Sequence, residues 1–433
     1  MEAGAPTIFA HGEESAAAMR RRLAAMRARL SDRPDLDALG ADAGRVTDVD
    51  DAAPVKAAFV AANAGEALRA VDAIDRWLAL DAGPALRIGR GTVLASLQAR
   101  PRVGLLLPGQ GVPAPRQLGA IASCFPDVAA AHTRADIPHG SEEDDGIPPA
   151  AIQHAIVAAS LAAVDVVHRL HVTPAFALGH SLGELTALSW ADAFDDGVAL
   201  RLARARGDAM VMRTPVPGGM VAVDADPTST AELLEGLPLT IACFNAPERQ
   251  AVAGPLEALD ALLVRARERG VPARQLAVTG AFHSPLMSGA ATTFDAALRH
   301  LHARPLRGQV ISSVTGTWLA ADVDLRTHLR DQMLAPVRFL DAARIAARHA
   351  DVLIETGPGR ALAALMAEID SDTPVVSLRV GERSRRRLLE LIATTWACGL
   401  TPAGTVAERL RRFGDAQASA SRNRRSSAAT TSS

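Results

Sequence analysis

Tyrosine is absent from this chain of 433 residues, and lysine occurs once, as Lys56. Arginine carries the rest of the positive charge; we read this as codon bias of a GC-rich genome, and it excludes no fold. Cysteine is scarce: Cys124, Cys243 and Cys398 lie far apart, are odd in number and lack metal-ligand spacing. That excludes a disulfide framework and favours a reducing cytosol. An excess of charge is also missing. The net value of −2 leaves no electrostatic footprint for nucleic acid or an anionic membrane. The N-terminus MEAGAPTIFAHGEE is acidic and lacks an apolar core, so no signal peptide is expected. The most apolar long stretch, AAIQHAIVAASLAAVDVV, is broken by Gln153, His154 and Asp165, and reads as a buried helix instead of a membrane span. No solenoid-type repeat is visible. With 48% hydrophobic and 22% charged residues, a soluble, cytoplasmic protein of two or three domains is expected.

What is present is a run of strand and helix patterns. PTIFA leads into ESAAAMRRRLAAMRARL, a helix with one apolar stripe. VKAAFVAA leads into a helix opening at Asn63, with Glu66 in capping-box position. These form a small α/β unit of two strand–helix pairs, and residues 99–102 look like its boundary. VGLLL follows as a buried strand ended by PGQG. The acidic loop DIPHGSEEDDGIPPA (136–150) is expected to be solvated. A long helix and the strand PAFALG come next. Residues 218–279 change rhythm: GGMVAV, TSTAELLEG, LTIACFN, QAVAG, PLEALDALLVRARERG and ARQLAV spell strand–helix–strand–strand–helix–strand, the ferredoxin-like pattern. VISSV, VLIE and VVSL resume the α/β series. Their unalternated apolar character predicts a mostly parallel sheet covered on both faces. A last helix, RSRRRLLELIATTWACG, and TVAERLRRF precede a low-complexity tail expected to be disordered.

The segment FALGHSLGELTAL carries the chemistry. A strand runs into Gly-x-Ser-x-Gly and a helical pattern takes over at once. Such a turn lifts a serine hydroxyl clear of the sheet and sets it at a helix N-terminus rich in free N–H groups. Ser181 is the candidate nucleophile; the alternative is an ordinary N-cap serine on a Gly-rich helix start. A serine needs a base and an oxyanion hole. His180 precedes it and is expected to diverge and pack. His283, in TGAFHSPLM after the inserted unit, sits at a domain junction where a cleft is expected. Arg206, on the next helix in RLARARGDAM, could clamp a substrate carboxylate with two parallel hydrogen bonds; taken alone the signal is weak, and with Arg201 and Arg204 flanking it a surface arginine is the default reading. PGQG (108–111) and TGPGRAL (356–362) each follow a strand and could line the same cleft.

In order, PGQG, GHSLGE, RARGDAM, FNAPERQAVAG, GAFHSPLM, APVRF and ETGPG resemble the acyltransferase family of fatty acid and polyketide synthesis, the malonyl-CoA:acyl carrier protein transacylase type. The resemblance covers roughly residues 102–380. It implies an α/β-hydrolase-like large subdomain (102–217 and 280–380) with an inserted ferredoxin-like subdomain (218–279). Residues 1–101 resemble the α/β linker domain between ketosynthase and acyltransferase of modular synthases, residues 381–413 the segment after the acyltransferase, and 414–433 form the tail.

The resemblance implies an acyl ester on Ser181, with His283 as base and then acid. It implies a malonyl carboxylate on Arg206 and an oxyanion hole from the backbone N–H groups of Gln110 and Leu182. His180, Met210 and Asn245 join the substrate-binding set. Ala335 would offer the backbone carbonyl that orients the histidine. GAFH resembles the malonyl-selective HAFH type: Phe282 fills the space an α-substituent needs, and Leu182 stands where methylmalonyl enzymes often carry glutamine. Gly280 departs from that pattern and opens space, so a substituted malonyl group stays open; one methyl is worth about 1–3 kcal/mol. Malonyl-CoA or a substituted malonyl-CoA, an acyl carrier protein and, through the linker, a ketosynthase are the expected partners. No metal or cofactor is expected. Two other readings stand beside this one. A serine hydrolase of thioesterase type would normally carry its histidine late, whereas three strand patterns follow His283 here. A docking module would not need the intact Ser, His and Arg set.

Overall fold

Three sheets organise the chain in a computed structural model that describes residues 6–34, 36, 50–80, 85–133, 149–211, 216–278 and 280–412. Most of the acidic loop 136–150 and all of the tail 414–433 lie outside the described residues.

The first sheet contains β1 (Thr7–Glu13), β2 (Val55–Ala61), β3 (Ala85–Gly89) and β4 (Thr92–Ser96) in the order β1-β2-β4-β3, antiparallel throughout. Alternate residues face opposite ways, as the two-residue strand period requires. Phe9, Phe59 and Leu94 meet helices α1 (Ala16–Asp32) and α2 (Ala64–Leu80) on one side. Ile8, Val60 and Val93 join the main core on the other. Covered on both faces, β2 can be apolar at every position but Lys56. In α1 the stripe Met19, Leu23, Met26 and Leu30 is buried, as its helical spacing predicts, and the Ser15 hydroxyl accepts from the Ala18 N–H at 3.2 Å. At the start of α2, Asn63 Oδ1 accepts from the Glu66 N–H at 2.9 Å and Glu66 Oε2 from the Ala62 N–H at 2.8 Å. The unit therefore holds four strands where two were expected. The additional hairpin, β3–β4, turns at Arg90 and Gly91, both with positive φ (48° and 75°), the geometry that two-residue hairpin turns favour.

The central sheet is parallel, in the order β11-β6-β5-β12-β13: β5 is Val103–Leu107, β6 Phe176–Gly179, β11 Gln309–Ile311, β12 Val352–Glu355 and β13 Val375–Ser377. Helix α3 (Pro149–Arg169) carries the apolar stretch interrupted by Gln153. Its segment Ala151–Arg169 is long and apolar enough to cross a membrane by length and composition, yet 78% of its most apolar window is buried inside this fold. Helices α4 (Gly183–Trp190) and α5 (Asp196–Met210) follow β6.

The third sheet is antiparallel, in the order β10-β7-β9-β8, from β7 (Gly218–Val223), β8 (Thr240–Ala246), β9 (Arg249–Pro255) and β10 (Ala273–Gln275), with α6 (Pro227–Leu234) and α7 (Leu256–Glu268). This is the ferredoxin-like arrangement the rhythm of 218–279 predicts. It is stitched to the larger unit: the Phe244 N–H donates to Val337 O and the Val337 N–H to Ala242 O, both at 2.8 Å. Helix α8 (Leu325–Gln332) precedes that stitch, and α9 (Arg386–Ala397) packs on the first sheet. Asp51 joins the two ends of the chain, accepting from the Trp396 indole N–H at 3.2 Å and from the Ala403 N–H at 3.0 Å.

Candidate active site

Steric fit sets the turn after β6. A Cβ on Gly179 would lie 2.3 Å from the Glu184 nitrogen, and one on Gly183 only 2.0 Å from Leu107 O. Both positions must be glycine for α4 to start so close to β5. Between them Ser181 takes a left-handed backbone, φ 50°, and its N–H donates to Ser313 Oγ at 3.2 Å. A Cβ on Gly109 would sit 2.5 Å from His180 O, and one on Gly357 2.5 Å from Pro108 Cγ. The glycine turns PGQG and TGPG therefore meet each other and the serine turn, as their positions after neighbouring strands predict. Gly111 has open space around it.

His283 lies beside the serine. Its Nε2 is 2.8 Å from Ser181 Oγ, and its Nδ1 is 3.0 Å from both Gln332 O and Ala335 O. Two carbonyls facing Nδ1 place the proton there, leaving the Nε2 lone pair for the hydroxyl. The Ala335 carbonyl was expected from the sequence; that of Gln332 was not. Like the serine, His283 has positive φ, 58°. Its pKa is lowered to about 3 by burial first, then by the charges of Arg206 and His180, so the ring is neutral at physiological pH.

Arg206 is 1% exposed, so the surface alternative falls. Its Nη2–H donates to Ser181 Oγ at 3.1 Å and its Nη1–H to Gln153 Oε1 at 2.9 Å, while Nε has no partner. Burial lowers its pKa to about 10, opposed by the charge of Glu184, so it remains a cation. The Gln153 amide nitrogen donates to Gln110 Oε1 at 2.9 Å and to Met210 Sδ at 3.0 Å. Gln110, Met210, Arg206, Ser181 and His283 thus form one continuous cluster. Gln153 is the member the sequence reading missed as a site residue; its signal was the polar break in an apolar helix.

The remaining candidates form its surroundings. Among the described residues no hydrogen bond engages the backbone N–H of Gln110 or Leu182, which leaves both able to donate to an oxyanion. The Leu182 side chain is buried. The His180 Nε2–H donates to Asn245 Oδ1 at 2.8 Å, and its ring lies 5.2 Å from that of Phe339, so it diverges from Ser181 as expected. Burial lowers its pKa against the opposing Asn245 bond. Gly280 does not leave open space: a Cβ there would be 2.8 Å from Phe282 Cε1. The phenyl ring lies over the glycine.

Such a cluster can form and break an ester. It has a hydroxyl with a proton acceptor at bonding distance, N–H groups for a developing oxyanion, and a cation beside the reacting oxygen. Among the described residues, no group of three or more His, Cys, Asp or Glu could hold a metal ion.

Residues 148–378 match the family model described as acyl transferase domain. A crystal structure of the acyltransferase domain of the iterative polyketide synthase in enediyne biosynthesis is 35% identical, with a TM-score of 0.76, over 92% of this chain and 97% of that one. Malonyl-CoA:acyl carrier protein transacylase from Xanthomonas oryzae pv. oryzae is 26% identical, with a TM-score of 0.60, over 64% of this chain and 94% of that one. Polyketide synthase GfsB of Streptomyces halstedii is 33% identical over 280 residues, 60% of this chain but 5% of that protein. The chain thus spans a small part of the curated synthase it resembles.

Proposed function

Since the chain belongs to the acyl transferase domain family, we propose that this acyltransferase moves a malonyl or related carboxylated group from coenzyme A to the phosphopantetheine thiol of an acyl carrier protein, supplying extender units for polyketide synthesis. Ser181 Oγ attacks the thioester carbonyl as His283 Nε2 takes its proton. The oxyanion rests on the N–H groups of Gln110 and Leu182. Collapse expels the CoA thiolate, which takes the proton from His283, and leaves the acyl ester on Ser181. The carrier's thiol then attacks that ester, with His283 accepting the thiol proton and returning it to Ser181.

The observation that carries this reading is Arg206. A buried guanidinium is costly unless paired, yet Arg206 makes no ion pair with any described residue. It faces the nucleophile from 3.1 Å. A carboxylate on the acyl group would complete it with two parallel hydrogen bonds. Malonyl selectivity is supported by the bulk of Phe282 and Leu182.

We assign residues 1–101 as an adaptor toward a ketosynthase, 102–380 as the acyltransferase, and 381–413 as the segment that follows it, whose helix α9 braces the first sheet. A cytoplasmic setting suits CoA thioesters and the three buried free cysteines.

The test is intact-protein mass after brief incubation with malonyl-, methylmalonyl- and acetyl-CoA together, with Ser181→Ala as control. A malonyl adduct that the control lacks and a carrier protein discharges is the expected result. An acetyl adduct would remove Arg206 from the account. Free CoA accumulating without any adduct would mean that the site hydrolyses thioesters.

A further inference from the structure

Glu184 sits three residues after Ser181, in the first turn of α4, with a fully buried side chain. A carboxylate so placed needs full hydrogen bonding. Its Oε1 accepts from the His328 Nε2–H at 3.2 Å, and its Oε2 accepts from the Gln332 side-chain amide. Both donors come from α8, four residues apart and so on one face of that helix. Gln332 is also the residue whose backbone carbonyl accepts from His283 Nδ1 at 3.0 Å. A chain of bonds therefore runs from the helix that carries the nucleophile, through Glu184, to the carbonyl that sets the histidine. None of these residues was marked by the sequence motifs beyond the E of GHSLGE.

We propose that Glu184 and His328 form a buried tether that fixes Gln332 and, through its carbonyl, aims the imidazole of His283 at Ser181. Both are positioning residues: neither touches the reacting atoms. This rests on the reading of Ser181 and His283 as the working pair. The geometry explains why a carboxylate is kept in a dry site. A neutral side chain could not hold two donors from successive turns of α8 with comparable strength. Other charged groups face the tether. Asp331 lies beside His328 on α8, and Arg206 on α5 faces Glu184 electrostatically. His180 also feels Glu184. On the outer side of α8, Arg326 is bound to Asp295 and Arg330 to Asp331. Burial opposes a charge on His328, but the hydrogen bond and charge of Glu184, helped by Asp331, outweigh it and raise its pKa above 6.5. The ion pair is thus complete below pH 6.5 and weakens as pH rises through the raised value.

The test reads serine reactivity without relying on the natural substrate. Labelling of Ser181 by a fluorophosphonate, followed by intact mass, is measured from pH 5 to 9 in the wild type, His328→Leu and His328→Gln. Thermal melting checks folding, and malonyl-CoA acylation kinetics run in parallel. In His328→Leu, labelling is expected to slow on the order of tenfold or more, since small misplacements of a catalytic group are costly, with the malonyl-CoA KM unchanged. His328→Gln, which can still donate to Glu184 but carries no charge, is expected to restore part of the rate and to label across the whole pH range near the level to which the wild type is expected to fall at high pH. Labelling within twofold of wild type in His328→Leu, or an unchanged pH profile in His328→Gln, overturns the tether. If His328→Leu does not fold, the pH comparison with His328→Gln decides alone. Phosphonate labelling that depends on His328, without any malonyl adduct, would refute the substrate reading and uphold the tether.

Discussion

Arg206 donates to Ser181 Oγ at 3.1 Å while making no ion pair with any described residue. A buried guanidinium without a salt-bridge partner among the described residues points at the atom that forms the ester. Arg206→Ala should lower malonyl acylation by about 100-fold, the scale of losing a charge-assisted bidentate clamp of roughly 3 kcal/mol. Acetyl-CoA should gain relative to malonyl-CoA in the same variant. Arg206→Lys should not restore the malonyl rate, because an ammonium cannot make the forked contact. Competition between the two thioesters, read by intact mass, checks both statements.

Acid should destabilise the protein through its buried imidazoles. His283 is lowered to about 3, and His11 to about 4, chiefly by burial and then by Arg22. Folded-state values below the ordinary 6.5 mean that the unfolded chain binds protons first as pH falls. The stability these groups contribute is present above pH 6.5 and is lost progressively toward pH 3–4, the sign expected for histidines buried neutral. His328, with its raised value, acts in the opposite sense. His11 Nε2 has no partner, so His11→Leu should shrink the fall in Tm between about pH 7 and pH 5. Melting curves across that window decide it.

Two glycines in neighbouring turns should respond in opposite ways. Gly183→Ala places a Cβ 2.0 Å from Leu107 O, a backbone atom that cannot step aside. Poor folding and no labelling of Ser181 are expected. Gly111→Ala meets nothing within 4 Å and should leave stability within about 0.5 kcal/mol of the wild type. Denaturant unfolding separates them.

Phe282→Ala should raise the ratio of methylmalonyl to malonyl transfer, by at most the factor that about 1–3 kcal/mol allows. Gly280→Ala should alter the same ratio through the ring, because its Cβ would lie 2.8 Å from Phe282 Cε1. A ratio unchanged in both variants would remove Phe282 from substrate selection.

The reactive residues were legible because their chemistry constrains the local sequence. Gly179 and Gly183 are dictated by contacts under 2.5 Å, so the serine turn announces itself. The small sheet was readable for a similar reason: strong boundary signals bracket its second helix, with Pro255 at the start of α7 and Gly270, at φ 68°, just past its end. The β3–β4 hairpin was missed because its Arg-Gly turn is not one of the Asn-Gly or Asp-Gly pairs that mark such turns, and β3 is only partly buried. Gln332 was invisible as a partner of His283 because it acts there through a carbonyl, which every residue has. Gln153 was in view but read only as a break in an apolar run; what it binds depends on helix packing that spacing does not encode.

Ser181 and His283 both sit in the left-handed region, at φ 50° and 58°, where a side chain with a Cβ costs roughly 1–2 kcal/mol. The surrounding fold therefore holds the reactive pair like a set spring. Replacing the serine with alanine would silence the chemistry and leave the spring wound, whereas Ser181→Gly would release it. The glycine variant should be inert and harder to melt than the alanine variant, and so the better scaffold on which to trap a bound carrier for structural work.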